Sequence, residues 1–459
     1  MSNKDSINVF GELSGQVAAV KRRELRAEDL CRAYLSQIEK FDAELMAFTE
    51  VNNDALAQAR ELDLRIERGE QVGRAAGAFI AVKDNYINPE LECTVGTDSP
   101  DWNAPGGGVD SVCVERLRSE DAIILGLTRM HALAWGNVTP PTRNPWDKRF
   151  VPGGSSGGSG AAVAAGMCAA ALGSDTGGSV RMPAAMCGVC GFKPTFGAVD
   201  SAGIVPHSWS LDHPGPLARS VEDLSLMYSV MAGEGDVPTA QCVEGGLSDR
   251  VVGLIGNHFS ERLAPDVESV WNDALATLTG IGVRTAQFEI PELEFGLGAI
   301  FAIEIASAAT VFDRFASEGR TAELPDDVRD LIDMGRMVSA VDYLHAERVR
   351  KLLFEEFSKV LTQTDVIATP TMPITAWPAG EWTVDVDGTE ENVLDASWRF
   401  TYPFNLTGLP AVTIPIGRDP RGLPIGMQLV GRPGADKKLL EFAKEASFLT
   451  CGIGNPSGY

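Results

Sequence analysis

Apolar residues follow two different patterns along the N-terminal part of the chain. Over residues 8–70 apolar side chains recur every three or four positions, the spacing of one face of an α-helix, so this region is predicted to be helical. The residues that define this face are Leu30, Tyr34, Ile38 and Phe41. The next apolar segment, GAFIAV at 77–82, is short and unbroken, and it predicts a buried strand that ends at Lys83.

The rest of the chain shows the same two patterns. Short apolar runs predict strands at 122–126, 251–255, 365–369, 411–416 and 425–430. Helical spacing predicts helices at 110–117, 217–232 and 264–280 and over most of 290–360. Proline and glycine indicate loops at 86–110 and at 374–400, and the second of these contains Trp377, Trp382 and Trp398.

Two clusters of small residues interrupt the middle of the chain. The first, PGGSSGGSG at 152–160, has the composition of a flexible linker. An Ala-rich helical segment and then a second cluster, ALGSDTGGSVRMPA at 171–184, follow it directly. Since both clusters lie between elements that look buried, their glycines are expected to permit sharp turns and close backbone contacts inside one domain.

Composition limits the kinds of partner. Apolar residues make up 44% of the 459 residues, which is enough for a large core. Lys and Arg number 39 against 63 for Asp and Glu, giving a net charge of −24. A chain this acidic repels nucleic acid and anionic lipid, so neither a nucleic-acid partner nor a membrane is expected.

Cysteine and histidine usage indicates a reducing compartment and no metal. The start of the chain has no basic segment followed by an apolar one, and no run of 18 apolar residues occurs. The eight cysteines are therefore expected to be free thiols in a cytoplasmic protein. Cys187 and Cys190 form a CxxC without a second pair, and the five histidines are scattered, so no metal and no cofactor are expected.

No familiar hydrolase or nucleotide motif is complete. The sequence matches GxSxG only as GGSSG at 153–157, with no predicted strand leading into it as a nucleophile elbow requires, and no Gly-Lys-Ser/Thr closes this cluster into a phosphate loop. No histidine stands in an obvious triad context. If a serine is the nucleophile, another group must take its proton, and lysine fills that role in known variants of the triad.

Residues 153–197, from GGSSGGSG through SDTGGSVRMPA to GFKPTFG, strongly resemble the signature of the amidase signature family of serine hydrolases. The resemblance covers most of the chain. Its other segments are GAFIAVKDN at 77–85, RNPWD at 143–147, DHPGPLARSVEDL at 212–224, ATPTMP at 368–373 and FNLTGLPAVTIPIG at 404–417.

The resemblance implies a Ser–cis-Ser–Lys triad. The family's nucleophile corresponds to Ser179, the relay serine 24 residues earlier to Ser155, which follows a cis peptide bond, and the base to Lys83. A lysine at the end of a buried strand can act as a base because burial disfavours its charged form. The oxyanion hole is assigned to Thr176, Gly177, Gly178 and Ser179, and support of the site to Gly154, Ser156, Asp175 and Arg181.

The resemblance also implies the fold. We expect a single α/β domain over 1–459, with a mixed, twisted sheet covered by helices on both faces. Its parts are an N-terminal helical region at 8–70, the signature core at 77–232, a helical insertion at 290–360 and the C-terminal part of the core at 365–450.

Three functions differ in class: a free-standing amidase, the glutaminase subunit of a tRNA-dependent amidotransferase, and a catalytically dead scaffold. The complete triad disfavours the scaffold. In the family's glutaminase subunits an acidic residue that holds the glutamine zwitterion corresponds to Trp398 here, and their arginine corresponds to Asp330 or Leu331. An aromatic residue in place of an acid favours an apolar or aryl amide, with a carbamate (urethane) or ester as the alternative.

The predicted substrate is thus a small molecule held by aromatic side chains. Trp377, Trp398, Tyr402 and Phe404, with Trp382, are the pocket candidates. His131, His207 and His213 are interpreted as structural residues. Family members are often dimers, so the resemblance leaves a homodimer open.

Overall fold

The computed structural model describes residues 7–97, 109–234, 246–320, 322, 324–450 and 453–459. Eleven strands in this part of the chain form one mixed sheet, and a separate two-stranded hairpin lies outside it. Helices cover both faces of the sheet, which confirms the predicted single α/β fold. Cys242 and Cys451, predicted to be free thiols, lie outside the described residues.

The bounds of the elements follow in chain order. The strands are β1 (Phe48–Val51), β2 (Phe79–Lys83), β3 (Ile123–Thr128), β4 (Ala170–Asp175), β5 (Cys190–Lys193), β6 (His213–Ala218), β7 (Val251–Ile255), β8 (Arg284–Phe288), β9 (Val366–Pro370), β10 (Thr383–Val386), β11 (Thr389–Asn392), β12 (Ala411–Arg418) and β13 (Pro424–Val430). The helices are α1 (Leu13–Lys21), α2 (Ala27–Leu45), α3 (Ala55–Glu67), α4 (Val112–Ser119), α5 (Gly157–Ala164), α6 (Arg181–Cys187), α7 (Val221–Met231), α8 (Pro265–Gly280), α9 (Gly296–Ser317), α10 (Asp326–Met337), α11 (Ala340–Gln363), α12 (Val393–Trp398), α13 (Tyr402–Leu406) and α14 (Asp436–Glu445).

The order of strands in the sheet is β1-β3-β2-β4-β6-β5-β12-β13-β9-β7-β8. Parallel pairs join β2 to β3 and to β4, whereas β4 pairs with β6 in the antiparallel sense. In the parallel β2–β4 pair Val82 lies opposite Leu172, so the carboxyl ends of these two neighbouring strands lie side by side. This register brings Lys83 next to Ser174 and the second glycine cluster.

The structure corrects two predicted regions. The helical region 8–70 contains β1, which pairs antiparallel with β3 at the edge of the sheet. The loop predicted at 374–400 contains the β10–β11 hairpin and α12. Both strands of this hairpin are only four residues long, and β11, TEEN, has no apolar residue, so the proline and glycine around them dominated the prediction.

Strands β4, β5 and β6 were not predicted from the sequence. All their residues are buried, because helices cover both faces of the sheet, so no polar residues alternate along them. In β6, HPGPLA, two prolines indicate a loop, and its last residues fall within the helix predicted at 217–232. The helix itself begins at Val221, after the N-cap Ser220, whose side chain accepts a hydrogen bond from the N–H of Asp223 at 3.1 Å.

The first glycine cluster forms buried structure and is not a linker. All eight residues of α5, GGSGAAVA, are buried. A Cβ on Gly158 would stand 2.5 Å from the carbonyl oxygen of Arg129 and 2.6 Å from that of Ala47. Glycine is required there because any side chain would separate α5 from the two segments that it packs against.

The helical insertion consists mainly of α9, α10 and α11, with α9 packed against both of the others. Among the described residues, one helical stretch, Pro291–Asp313, is long and apolar enough to cross a bilayer. Because 56% of its most apolar window is buried inside the protein, we interpret it as a core helix of the insertion.

Candidate active site

Lys83 ends β2 inside the protein, with no exposed surface. Its Nζ lies 2.8 Å from Ser155 Oγ and 2.9 Å from Ser174 Oγ. Ser174 Oγ also accepts a hydrogen bond from Asn85 Nδ2 at 3.1 Å. Ser174 was not identified from the sequence, because β4, the strand that places it next to Lys83, was not predicted.

Burial lowers the pKa of Lys83 to about 7, against the smaller raising effects of Asp212 and Asp175. A substantial fraction of this lysine is therefore neutral near pH 7. Neutral lysine can accept a proton from the Ser155 hydroxyl, which the protonated form cannot do.

The two serine segments are joined through their backbones. The peptide bond between Gly154 and Ser155 is cis, as the resemblance implied. Ser156 N donates to the carbonyl of Ser179 at 3.3 Å, and Ser156 Oγ donates to that of Ser174 at 3.3 Å. The hydrogen bonds of the described residues do not include a direct one between the hydroxyls of Ser155 and Ser179.

The loop before Ser179 leaves backbone donors free. Gly178 has φ +140°, a conformation that side chains disfavour. Within the described part of the chain, the N–H groups of Gly177, Gly178 and Ser179 have no hydrogen-bond acceptor. Unpaired N–H groups beside a serine can bind a developing oxyanion. The Thr176 side chain donates to Asp212 Oδ1 at 2.7 Å and anchors the start of the loop, and the assignment of Thr176 to the oxyanion hole stays a prediction.

Asp175 and Arg181 form a buried ion pair under this loop. Arg181 donates from Nη2 to Asp175 Oδ1 at 2.9 Å and from Nε to Oδ2 at 3.0 Å, and neither side chain is exposed. Burial alone would raise the pKa of Asp175, but the Arg181 guanidinium holds it well below its usual range. Asn405 and Gln428 complete the guanidinium's hydrogen bonds at 2.5 and 2.6 Å. Neither was identified from the sequence, because each is more than 200 residues from the loop.

Removing the charge of Asp175 should destabilise the protein. In Asp175→Asn the Arg181 guanidinium loses its buried counter-ion, and breaking such a pair typically costs about 3–5 kcal/mol. We expect a clear decrease in the urea midpoint of unfolding. The matched control is Asp147→Asn, which breaks the exposed pair with Arg149 and should hardly move the midpoint. Equal shifts for the two variants would contradict a structural role for the buried pair.

A cavity of about 520 Å³ opens at Ser179 between the signature core and the helical insertion. Its walls are apolar over most of their area, with contributions from Trp135, Met182, Phe301, Leu331 and Trp398. Two carboxylates, Glu304 of α9 and Asp395 of α12, also line it. Neither was identified from the sequence, since they come from separate elements.

Of the four predicted pocket residues, only Trp398 lines this cavity. Trp377, Tyr402 and Phe404 are buried in apolar clusters. Trp382, the fifth aromatic considered, is 57% exposed. The prediction was wrong for Trp377, Tyr402, Phe404 and Trp382, because aromatic composition does not distinguish a cavity wall from a core or a surface.

The three histidines have structural contacts. His207 bridges the carbonyl of Leu133, at 3.0 Å from Nδ1, and Glu304 Oε1, at 2.9 Å from Nε2. Burial lowers the pKa of His213 well below its usual range, and burial also lowers the pKa of His131. His207 thus connects the helical insertion to the loop that carries Leu133 beside the cavity.

The cysteines of the described residues are free and buried. Burial raises the pKa of the Cys190 thiol to about 12, so it is not a nucleophile at neutral pH. Among the described residues, no group of three or more His, Cys, Asp or Glu side chains has a metal-binding arrangement.

The mixed sheet with a buried lysine–serine pair beside a glycine loop defines a class of enzymes that hydrolyse amide C–N bonds other than peptide bonds. The chain matches the family described as Amidase over residues 29–440 and belongs to this family, the amidase signature enzymes. A crystal structure of an amidase superposes with a TM-score of 0.89 at 29% identity, over 97% of this chain and all of the other.

Relatives identify a narrower group of similar proteins. A glutamyl-tRNA(Gln) amidotransferase subunit from Thermosynechococcus vestitus is 36% identical over 93% of this chain and 94% of its own length. The structure of the subunit of the same name from Thermotoga maritima superposes with a TM-score of 0.79 at 29% identity, over 97% of this chain and 95% of the other.

These relatives overturn two expectations. An apolar or aryl amide as the substrate is wrong, because the similar curated proteins at 33–36% identity carry the name of the amidotransferase subunit. The expectation of no nucleic acid and no partner beyond a second copy is wrong for the same reason. The prediction of an apolar substrate relied on Trp398 alone. The structure also brings the carboxylates of Glu304 and Asp395 into the cavity that Trp398 lines.

Proposed function

We propose that this chain is the glutamine-hydrolysing subunit of a tRNA-dependent amidotransferase and acts with protein partners in the cytoplasm. The observation that carries this proposal is the similarity to curated amidotransferase subunits over nearly the full length of both proteins. The site supports it because a free serine hydroxyl and two carboxylates share one cavity. A carboxylate is the side chain that binds the α-ammonium group of glutamine.

In the proposed reaction, Ser179 Oγ attacks the side-chain amide carbon of glutamine. Its proton passes to Ser155 Oγ, and the proton of Ser155 passes to neutral Lys83. The substrate oxygen becomes an oxyanion beside the N–H groups of Gly178 and Ser179. Since Ser155 and Ser179 are not hydrogen-bonded directly in the free structure, substrate binding has to bring the two hydroxyls together, as is common for catalytic contacts.

Collapse of this intermediate breaks the C–N bond. The proton held by Lys83 returns through Ser155 to the departing nitrogen, which leaves as ammonia, and a glutamyl ester remains on Ser179. Water then attacks the ester through the same proton path and releases glutamate. The overall reaction converts glutamine and water into glutamate and ammonia, and no cofactor enters it.

Asp395 is proposed to hold the ammonium group of glutamine. It lies in the first turn of α12, is exposed toward solvent, and has no ion pair within the described part of the chain. Glu304 lies on the opposite element, α9, where its Oε1 atom is already bound to His207. Of the two carboxylates, Asp395 is thus the one free to bind a substrate cation.

Hydrolysis of L-glutamine and of glutaramate, which lacks the α-amino group, tests this assignment. We expect wild-type kcat/KM to favour glutamine by about 10-fold or more, since hydrogen bonds to charged groups contribute about 1.5–3 kcal/mol. Asp395→Asn should bring the ratio close to one, whereas Glu390→Gln, an exposed carboxylate outside the cavity, should leave it unchanged. Ammonia release is the measurement.

One outcome would contradict the proposed function, and another would contradict only the assignment of the ammonium site to Asp395. The first is faster hydrolysis of propionanilide or ethyl carbamate than of L-glutamine by the wild-type chain. The second is an unchanged preference for glutamine over glutaramate in Asp395→Asn, which would reject the ammonium site while leaving glutaminase activity intact.

A further inference from the structure

Thr401 lies under the glycine loop, in the turn between α12 and α13. It is fully buried, and its Oγ1 lies 2.6 Å from the carbonyl oxygen of Gly177. The carbonyl oxygen of Trp398 is a second acceptor at 3.1 Å. A threonine hydroxyl has one proton, and the shorter distance assigns it to Gly177.

From this contact we infer that Thr401 is a positioning residue for the oxyanion hole, an inference that rests on the proposed acyl-enzyme chemistry of Ser179. In a trans peptide the carbonyl and the following N–H point in opposite directions. A hydrogen bond that holds the Gly177 carbonyl toward Thr401 therefore directs the Gly178 N–H away from Thr401. That N–H has no acceptor among the described residues, and Gly177 and Ser179 both line the cavity.

The peptide between Gly177 and Gly178 needs such a restraint. Gly178 has φ +140°, and glycine has a wide range of accessible backbone conformations, so the loop has little intrinsic preference for this orientation. A Cβ on Gly178 would overlap the Thr401 side chain, which shows how closely Thr401 packs against the loop. A rotated peptide would place a carbonyl where the hole needs a donor.

Thr401 is itself held in place by the buried ion pair. Arg181 Nη1 donates to the carbonyl oxygen of Thr401 at 2.9 Å, and Arg181 is fixed by Asp175. The N–H of Thr401 donates to the carbonyl of Trp398 at 3.1 Å. The hydroxyl therefore projects from a rigid backbone, which is what a residue that orients another group requires.

The experiment compares Thr401→Val, which removes the hydroxyl at nearly constant shape, with Thr401→Ser, which keeps it. One oxyanion donor typically contributes about 10²–10³-fold to kcat, so a mispositioned donor in Thr401→Val should lower kcat by about 10–100-fold. KM should change by less than about threefold, and Thr401→Ser should restore most of kcat. The matched control is Thr407→Val, which removes a buried hydroxyl bonded to the carbonyl of Pro403 at 2.7 Å, away from the loop.

A second measurement separates positioning from a general loss of structure. A boronic acid analogue of the substrate, which forms a tetrahedral adduct with serine, should bind Thr401→Val at least about 10-fold more weakly, whereas glutamate, the product, should bind equally well. If Thr401→Val does not fold, Thr401→Ala is measured against Thr401→Ser in its place. Folded variants without the hydroxyl that keep kcat within threefold of wild type would overturn the inference. Activity in Ser179→Ala would instead overturn the proposed function on which it rests.

Discussion

Ser179→Ala is expected to abolish amide hydrolysis while the fold is retained. Loss of a serine nucleophile lowers kcat by about 10⁶-fold in enzymes of comparable mechanism. The Ser179 hydroxyl makes no hydrogen bond within the described part of the chain, so its removal leaves no buried group unpaired. Turnover of L-glutamine and the urea midpoint of unfolding are the two measurements.

Chemical labelling gives an independent check of the same role. A fluorophosphonate should modify the wild-type protein at Ser179 and fail to modify Ser179→Ala, as judged by peptide mass spectrometry. The matched control is Ser229→Ala, a buried serine in α7 whose hydroxyl bonds the carbonyl of Leu226 at 2.8 Å. It should keep full activity and full labelling. Activity of Ser179→Ala within tenfold of the parent would remove this residue from the nucleophile role.

Activity should rise with pH along one ionisation with a midpoint near 7 and then reach a plateau. Burial lowers the pKa of Lys83 to about 7 in the folded protein, so the lysine is mainly protonated below that pH and mainly neutral above it. Only the neutral form can take the proton of Ser155. The acid limb of kcat/KM for L-glutamine therefore reports the loss of the proton from Lys83.

Lys83→Ala should remove this limb and lower amide turnover by several orders of magnitude. An activated ester such as p-nitrophenyl acetate should be affected less, because its leaving group departs without receiving a proton. Lys193 provides the matched comparison, since it is a second fully buried lysine whose pKa burial also lowers. A folded Lys193→Met protein should keep the acid limb. Retention of both amide turnover and the limb in Lys83→Ala would assign the base to another residue.

The proposed triad was predicted from the sequence because its members lie in recognisable local contexts. Lys83 ends an apolar run, and the two serines lie in glycine clusters separated by a short helix, so the spacing along the chain already limits their distance in space. The register between β2 and β4 then brings Lys83 to Ser155 and Ser174. Local pattern and family resemblance were thus sufficient to propose these three residues, and the structure shows Lys83 in contact with Ser155.

The substrate pocket could not be anticipated in this way. Its carboxylates come from α9 and α12, and its aromatic residues come from these two helices and from the segment that carries Trp135, so they meet only after the insertion has packed onto the core. At one position, Trp398, the sequence suggested an apolar pocket, whereas Asp395, one turn earlier on the same helix, supplies a charge to the same cavity. A substrate inferred from a single position neglects such neighbours.

The sequence by itself determined the family, the α/β class and the chemical groups at the centre of the site, because each depends on short segments whose residue types permit few alternatives. The tertiary structure decided which aromatic residues are core and which line the cavity. It placed Glu304 and Asp395 on the cavity wall and Thr401 against the glycine loop. The physical reason is that burial, a lowered lysine pKa and an oriented peptide are properties of packed neighbours. Thr401, for example, lies 224 residues from the glycine whose peptide it orients, and no local pattern records such a contact.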